Sequence, residues 1–242
     1  MPRHTSRRSV LKAIGATAAV PGIVGTAAGR GNAPTPRYAA FNVVDLETEQ
    51  VQNPGDPQAE AAARVVQEVD PEVLVVNELA NNEQEATVDD SVPAEPTNIE
   101  AFVDNYLSEP QAPHLDGIDY EYTLQPESNT GVLPETEYDF NKDGGFGRPG
   151  DAFGFGFYPG QYAFGIASKF PFDESAVRSF QEFKWADMPG NLIPVEGDDD
   201  VDTDDIYLVE KELDAFRLSS KTHVDVPFDV DGETVHGVFS HP

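Results

Sequence analysis

Four consecutive apolar residues, Val73-Leu74-Val75-Val76, three of them β-branched, constrain this chain more than any other feature. A strand of that kind has no polar face to show to water, so it must lie inside a sheet covered on both sides. The preceding residues supply one cover. Asp56 and Pro57 read as an N-cap and a first-turn proline, and Ala62, Val65, Val66 and Val69 then recur at the spacing of one helix face. Pro71 ends that helix. Tyr38 to Val44 form a first strand ahead of it, followed by a loop rich in Asn, Pro, Gly and Asp, so the order is strand, helix, strand.

Residues 81–150 are acidic and rich in Pro, Asn and Gly, and read as a long surface excursion with one short helix over Ile99 to Leu107. Strand signals return at Tyr162 to Ala167 and at Ala176 to Phe183. A helix is expected from Asp204 to Phe216, with Ile206, Val209 and Leu213 on one face. Ser219 to Phe228 and Thr234 to Ser240 read as two further strands. They are joined through Val230-Asp231-Gly232-Glu233, whose Asp-Gly pair signals a hairpin.

The 242 residues suffice for one sizeable domain. They carry 44 acids and 15 bases, a net charge of −29. The first 37 residues hold six of the bases and no acid, so the balance from Tyr38 onward is −35. Self-repulsion on that scale is screened in molar salt, where the Debye length is about 3 Å. The charge is therefore read as the solvated surface of a protein adapted to high salt, the alternative being a site for cations or a basic partner. No basic stripe exists to neutralise an extended polyanion. The absence of cysteine excludes disulfides, thiolate nucleophiles and zinc–thiolate sites.

The segment Ser6-Arg7-Arg8-Ser9-Val10-Leu11-Lys12 resembles a twin-arginine export signal, followed by an Ala/Gly-rich stretch from Ala13 to Ala28. Pro21 and several glycines make that stretch a poor membrane span. Residues 1–36 are thus assigned to a signal peptide and short linker, with cleavage near Ala27-Ala28-Gly29, and residues 37–242 to the domain. The resemblance implies the twin-arginine machinery as a partner and a secreted, extracellular protein.

Two polar residues stand where strands end. Asn42 lies in the first strand, and Glu78 closes the second after four residues that belong inside a sheet. A carboxylate there is costly unless it is paired or holds a cation, and ligands gather at the carboxyl ends of parallel strands. Glu78 opening a solvated loop is the competing reading, and Asn42 as a turn residue is another. Separately, Asp139, Asn141 and Asp143 precede Gly144 at the spacing that starts a calcium loop. The closing Glu position is occupied by Gly150, and Asp151 comes one residue late. That leaves a simpler loop ordered by structural Ca²⁺, or an acidic turn.

Taken together, the Ala-Phe-Asn strand, "DPEVLVVNEL", "YAFGIASKFPF" and the last strand running into "SHP" resemble the ordered first-half motifs of the endonuclease/exonuclease/phosphatase superfamily. The strings "FGFGFYPGQY", "KWADMPGNLIP" and "RLSSKTHVDVPF" resemble a secreted, phosphatase- or phytase-like branch of it. The resemblance spans residues 37–242 and implies an α/β fold, a mixed β-sandwich of two sheets flanked by helices, with about half of that fold present.

It implies a metal-dependent phosphoester hydrolase, an extracellular phosphatase or phosphodiesterase using Mg²⁺, or Mn²⁺ or Ca²⁺ in its place. Glu78 corresponds to the metal ligand and Asn42 to the metal and nucleophile network. His241 stands where a residue faces the scissile phosphate, suited to proton transfer. Tyr162 and Lys221 fall near substrate-contacting positions, and His223, which alternates with Thr222 on its strand, is read as facing the site; a core aromatic, a solvated lysine and a sheet histidine are the competing readings. The family's later "GDFN"-like motif and terminal Asp-His pair are not found before Pro242, so these residues alone are expected to be nearly inert. An extracellular endonuclease acting on DNA, and a non-catalytic calcium-binding surface protein on a decayed hydrolase scaffold, are the alternatives.

Overall fold

The computed structural model describes residues 36–81, 90–194 and 207–241. The twin-arginine stretch and the first residues of the helix expected over 204–216 lie outside them. Two sheets account for the strands. In the first, β1 (Tyr38–Leu46) and β2 (Val73–Leu79) run parallel, linked by α1 (Thr48–Gln52) and α2 (Pro57–Val69). β3 (Tyr122–Leu124) and β4 (Phe164–Ser168) complete it antiparallel, in the order β1-β2-β4-β3. The second sheet is antiparallel throughout, with β5 (Arg178–Ser179), β6 (His223–Val230) and β7 (Glu233–Ser240) in sequence order.

The run in β2 behaves as its composition demands. Leu74 and Val76 face the helices and pack with Ala63, Val66, Phe102 and Tyr106. Val73 and Val75 face the second sheet, joining Phe164 and Ile166 against Val224, Val226 and Phe228. Each such side chain contributes about 1.5–3 kcal/mol when fully buried. Asp56 caps α2 as expected, its Oδ1 accepting the N–H groups of Gln58 and Ala59 at 2.9 and 3.0 Å. The β6–β7 hairpin turns at Asp231 and Gly232, both at positive φ, as a two-residue turn of this kind requires.

Three expectations change. The 81–150 segment is no mere surface excursion. It contributes α3 (Asn98–Phe102), a π-helical turn (Val103–Leu107) and β3, and it buries Ile99, Phe102, Tyr106, Ile118 and Tyr120 in the core. Its acidic composition concealed these isolated apolar anchors. The strand expected over Ala176 to Phe183 shrinks to Arg178–Ser179, because a 3₁₀ turn takes Glu174–Ala176 and the chain turns again at Phe180. Among the described residues of the 204–216 helix only α4 (Glu210–Leu213) is helical, and Leu213 packs with Phe140 and Leu208.

Candidate functional site

Between Asn42 and Leu46, β1 departs from the register of β2. Asn42 pairs with Asn77 and Leu46 with Leu79, so three residues of β1 stand opposite Glu78 alone. Such a bulge re-aims side chains at a strand end. Val44, Asp45 and Glu78 all adopt positive φ, at 61, 53 and 62°. Three neighbouring non-glycine residues in that region are held there only by compensating bonds. Gln58 Nε2 supplies two, donating to the carbonyls of Val43 and Val44 at 2.7 and 2.6 Å. Asn42 Oδ1 accepts from Val44 N–H at 2.9 Å.

The bulge turns its donors onto one carboxylate. Asn42 Nδ2 donates to Glu78 Oε1 at 2.8 Å, and Asp45 N–H donates to Glu78 Oε2 at 3.1 Å. The carboxylate of Asp45 is itself close. It accepts from Gln161 Nε2 at 3.3 and 3.2 Å, and burial raises its pKa, opposed by that bond and reinforced by the charge of Glu78. Glu47 is shifted the same way by burial and then by Asp45 and Glu49.

The second sheet contributes the opposing wall. His241, just beyond β7, places Nε2 at 3.6 Å from Glu78 Oε1, beyond hydrogen-bond length, and that nitrogen is buried with no closer partner. Burial lowers the His241 pKa, helped by Lys221 and opposed by Glu78. Lys221 precedes β6, and its carbonyl is fixed by the N–H of Asn129 at 2.8 Å. Burial lowers its pKa too, against the attraction of Glu78. Tyr162, at φ 58°, feels burial, then Asp45, Glu78 and Glu47, all of which raise its pKa and keep the phenol protonated.

Asn42, Glu78, Tyr162, Lys221 and His241 are therefore drawn together from distant parts of the sequence. His223 is not seen to join them. It opens β6 opposite Ser240, and its backbone carbonyl accepts from Phe180 N–H at 2.9 Å. Asp139, Asn141 and Asp143 lie elsewhere and turn their oxygens inward on their own loop. Asp139 accepts from the N–H groups of Asp143 and Gly144, both at 3.0 Å, and Asp143 from that of Gly145 at 2.8 Å. Asp45 and Gln161 were missed by sequence reasoning. The sign available was an acid three residues beyond Asn42, but only the bulge brings it beside Glu78.

The donor set suits a hard cation. Carboxylate and amide oxygens are the ligands of Mg²⁺ or Ca²⁺, and Mg²⁺ commonly uses one or two carboxylates and keeps several waters. Asp45, whose pKa is raised mainly by burial, stands beside Glu78 as a second carboxylate. Among the described residues no group of three His, Asp or Glu forms a dedicated cage. Glu78 and Asp45 are the residues that would hold such an ion.

A family model described as the Endonuclease/Exonuclease/phosphatase family matches residues 50–224. Among solved structures, the chain is similar to an endonuclease/exonuclease/phosphatase family protein from Leptotrichia buccalis. Identity is 12%, the TM-score is 0.41, and the match covers 86% of this chain and 53% of that one. It is also similar to an endonuclease/exonuclease/phosphatase from Beutenbergia cavernae, at 15% identity and a TM-score of 0.38, covering 84% of this chain and 37% of that one. The chain thus spans about half the length of the first and little more than a third of the second. No curated protein matches it. Since the family model takes in most of the chain, from α1 to β6, the chain belongs to the endonuclease/exonuclease/phosphatase family.

Proposed function

We propose that this site is the ion-holding and phosphate-facing part of a phosphoester hydrolase, in keeping with a family whose hydrolases are generally metal-dependent. One observation carries the reading: a strained bulge aims two donors at Glu78 while His241 and Lys221 converge on the same carboxylate from the other sheet. Glu78, with Asp45 beside it, would hold a divalent ion. When bound, such an ion polarises the phosphoryl group and offsets its developing charge.

The residues themselves do the rest. Asn42 and the Asp45 N–H fix the orientation of the Glu78 carboxylate. Lys221 presents a cation to a phosphoryl oxygen. The lowered pKa of His241 keeps its imidazole neutral near pH 7, so one ring nitrogen donates to the phosphate while the other can accept a proton. Tyr162 stays protonated and serves as a donor. The acidic surface favours a small phosphoester over DNA, since an extended polyanion meets a net charge of −29. Export follows from the twin-arginine resemblance at Ser6 to Lys12, and makes the protein extracellular.

The test pairs Mn²⁺ binding, read by calorimetry, with the residual hydrolysis of p-nitrophenyl phosphate expected of these residues on their own. Chelation should abolish turnover. Glu78→Gln should lower kcat/KM by about 10²-fold or more and weaken Mn²⁺ binding in parallel. Unchanged Mn²⁺ affinity in that variant would remove the assignment.

A further inference from the structure

The segment Phe153-Gly154-Phe155-Gly156-Phe157 alternates aromatic and glycine, and its three rings go to different places. Phe153 turns inward, with the Arg217 guanidinium 4.1 Å from its ring centre and Phe140 at 6.3 Å. Phe155 and Phe157 turn outward and remain 58% and 56% exposed. The glycines are required by close approach. A Cβ on Gly154 would lie 1.7 Å from the carbonyl oxygen of Ser220, and one on Gly156 would lie 2.8 Å from the Gly131 nitrogen. Backbone packing thus fixes the loop and leaves two large rings on the surface.

These rings are organised, and they adjoin the site. Phe155 packs edge-to-face on Phe157 at 5.6 Å, and lies near-parallel to Tyr162 with ring centres 6.5 Å apart. Gln161 ties the loop to the carboxylates, because its Oε1 accepts from Phe157 N–H at 2.8 Å while its Nε2 donates to Asp45. Tyr162 follows at positive φ, a conformation that turns its ring toward Phe155 while its hydroxyl group feels Asp45 and Glu78.

We propose that Phe155, Phe157 and Tyr162 form a stacking platform for the planar ring of a small phosphoester of the mononucleotide class, its phosphate lying at Lys221 and His241. The proposal rests on the phosphoester reading for the place of the phosphate alone. A π-face is what exposed, mutually oriented aromatics recognise, and stacking tolerates any base. The size limit comes from charge: a long polyanion is repelled by this surface, whereas a single phosphate needs only the local cation.

Equilibrium dialysis of the whole chain against AMP, ribose 5-phosphate and adenosine tests this. AMP should bind more tightly than ribose 5-phosphate by about tenfold, roughly the worth of one stacked base. Phe155→Leu with Phe157→Leu should erase that difference, and Phe155→Tyr should keep it. Adenosine, lacking phosphate, should lose binding in the double leucine variant whether or not the protein cleaves phosphoesters, so the platform and the hydrolase reading fail separately. Equal binding of AMP and ribose 5-phosphate by the unaltered chain, or an AMP affinity indifferent to the two leucines, overturns the platform.

Discussion

Val44 shows how far single residues have been bent to serve Glu78. It is β-branched, 69% exposed and held at φ 61°, where an L-residue loses about 1–2 kcal/mol relative to ordinary conformations. Its side chain buries little, so the cost is not recovered by packing. It is met instead by the bonds from Asn42 and Gln58 that lock the bulge. Val44→Gly should therefore raise stability by about 0.5–1 kcal/mol, after the greater entropy of glycine in the unfolded chain is subtracted. Urea denaturation with an unchanged m-value would show it, and a loss of stability would mean that the valine side chain makes a contact of real worth. At this scale the sequence was only partly legible. Asn42 and Glu78 stood out as polar residues where strands end, and His241 only through the family resemblance. Asp45 and Gln161 did not, because their roles arise from a bulge and from a contact between residues far apart in sequence.

Among the elements, β2 and α2 were readable because each carries a complete local pattern, a continuous apolar run or a capped and periodic face. The 90–150 stretch was not, because its core residues are single anchors set among acids and no local period joins them. Asp225 likewise carries no local sign of its place. In a Val-Asp-Val strand it looks like an outward, solvated residue, yet it is buried beneath its neighbours across the sheet. Arg178 of β5 donates through Nε at 2.9 Å and also through Nη2, and His236 of β7 approaches through Nδ1 at 2.8 Å. These bonds tie all three strands together, and Arg178 first, then His236, hold the carboxyl below its usual pKa. A depressed carboxyl contributes stability above its unfolded pKa, near pH 4, and loses it as pH falls through the lower folded value. The advantage of the unaltered protein over Asp225→Asn should thus be full from about pH 5 upward and shrink toward pH 3. Denaturant midpoints at fixed salt measure it, and an advantage equally large at pH 3 would rule out the ion pair as its source.

For the molecule as a whole, net charge governs the response to the surrounding medium. At −29 its folded form concentrates repulsion that the expanded chain relieves, and salt screens that repulsion within a few ångströms. The melting temperature should rise by about 10 °C or more between 0.1 and 2 M KCl, and equal values at both would contradict the screening argument. The two-sheet architecture adds a consequence of its own. Glu78 belongs to one sheet, whereas Lys221 and His241 flank strands of the other, so these groups meet only while the sheets are pressed together. Anything held between those walls acts as a clasp on the seam, and its binding energy is added to the cohesion of the sandwich. Removal of such a ligand would let the two layers part more readily.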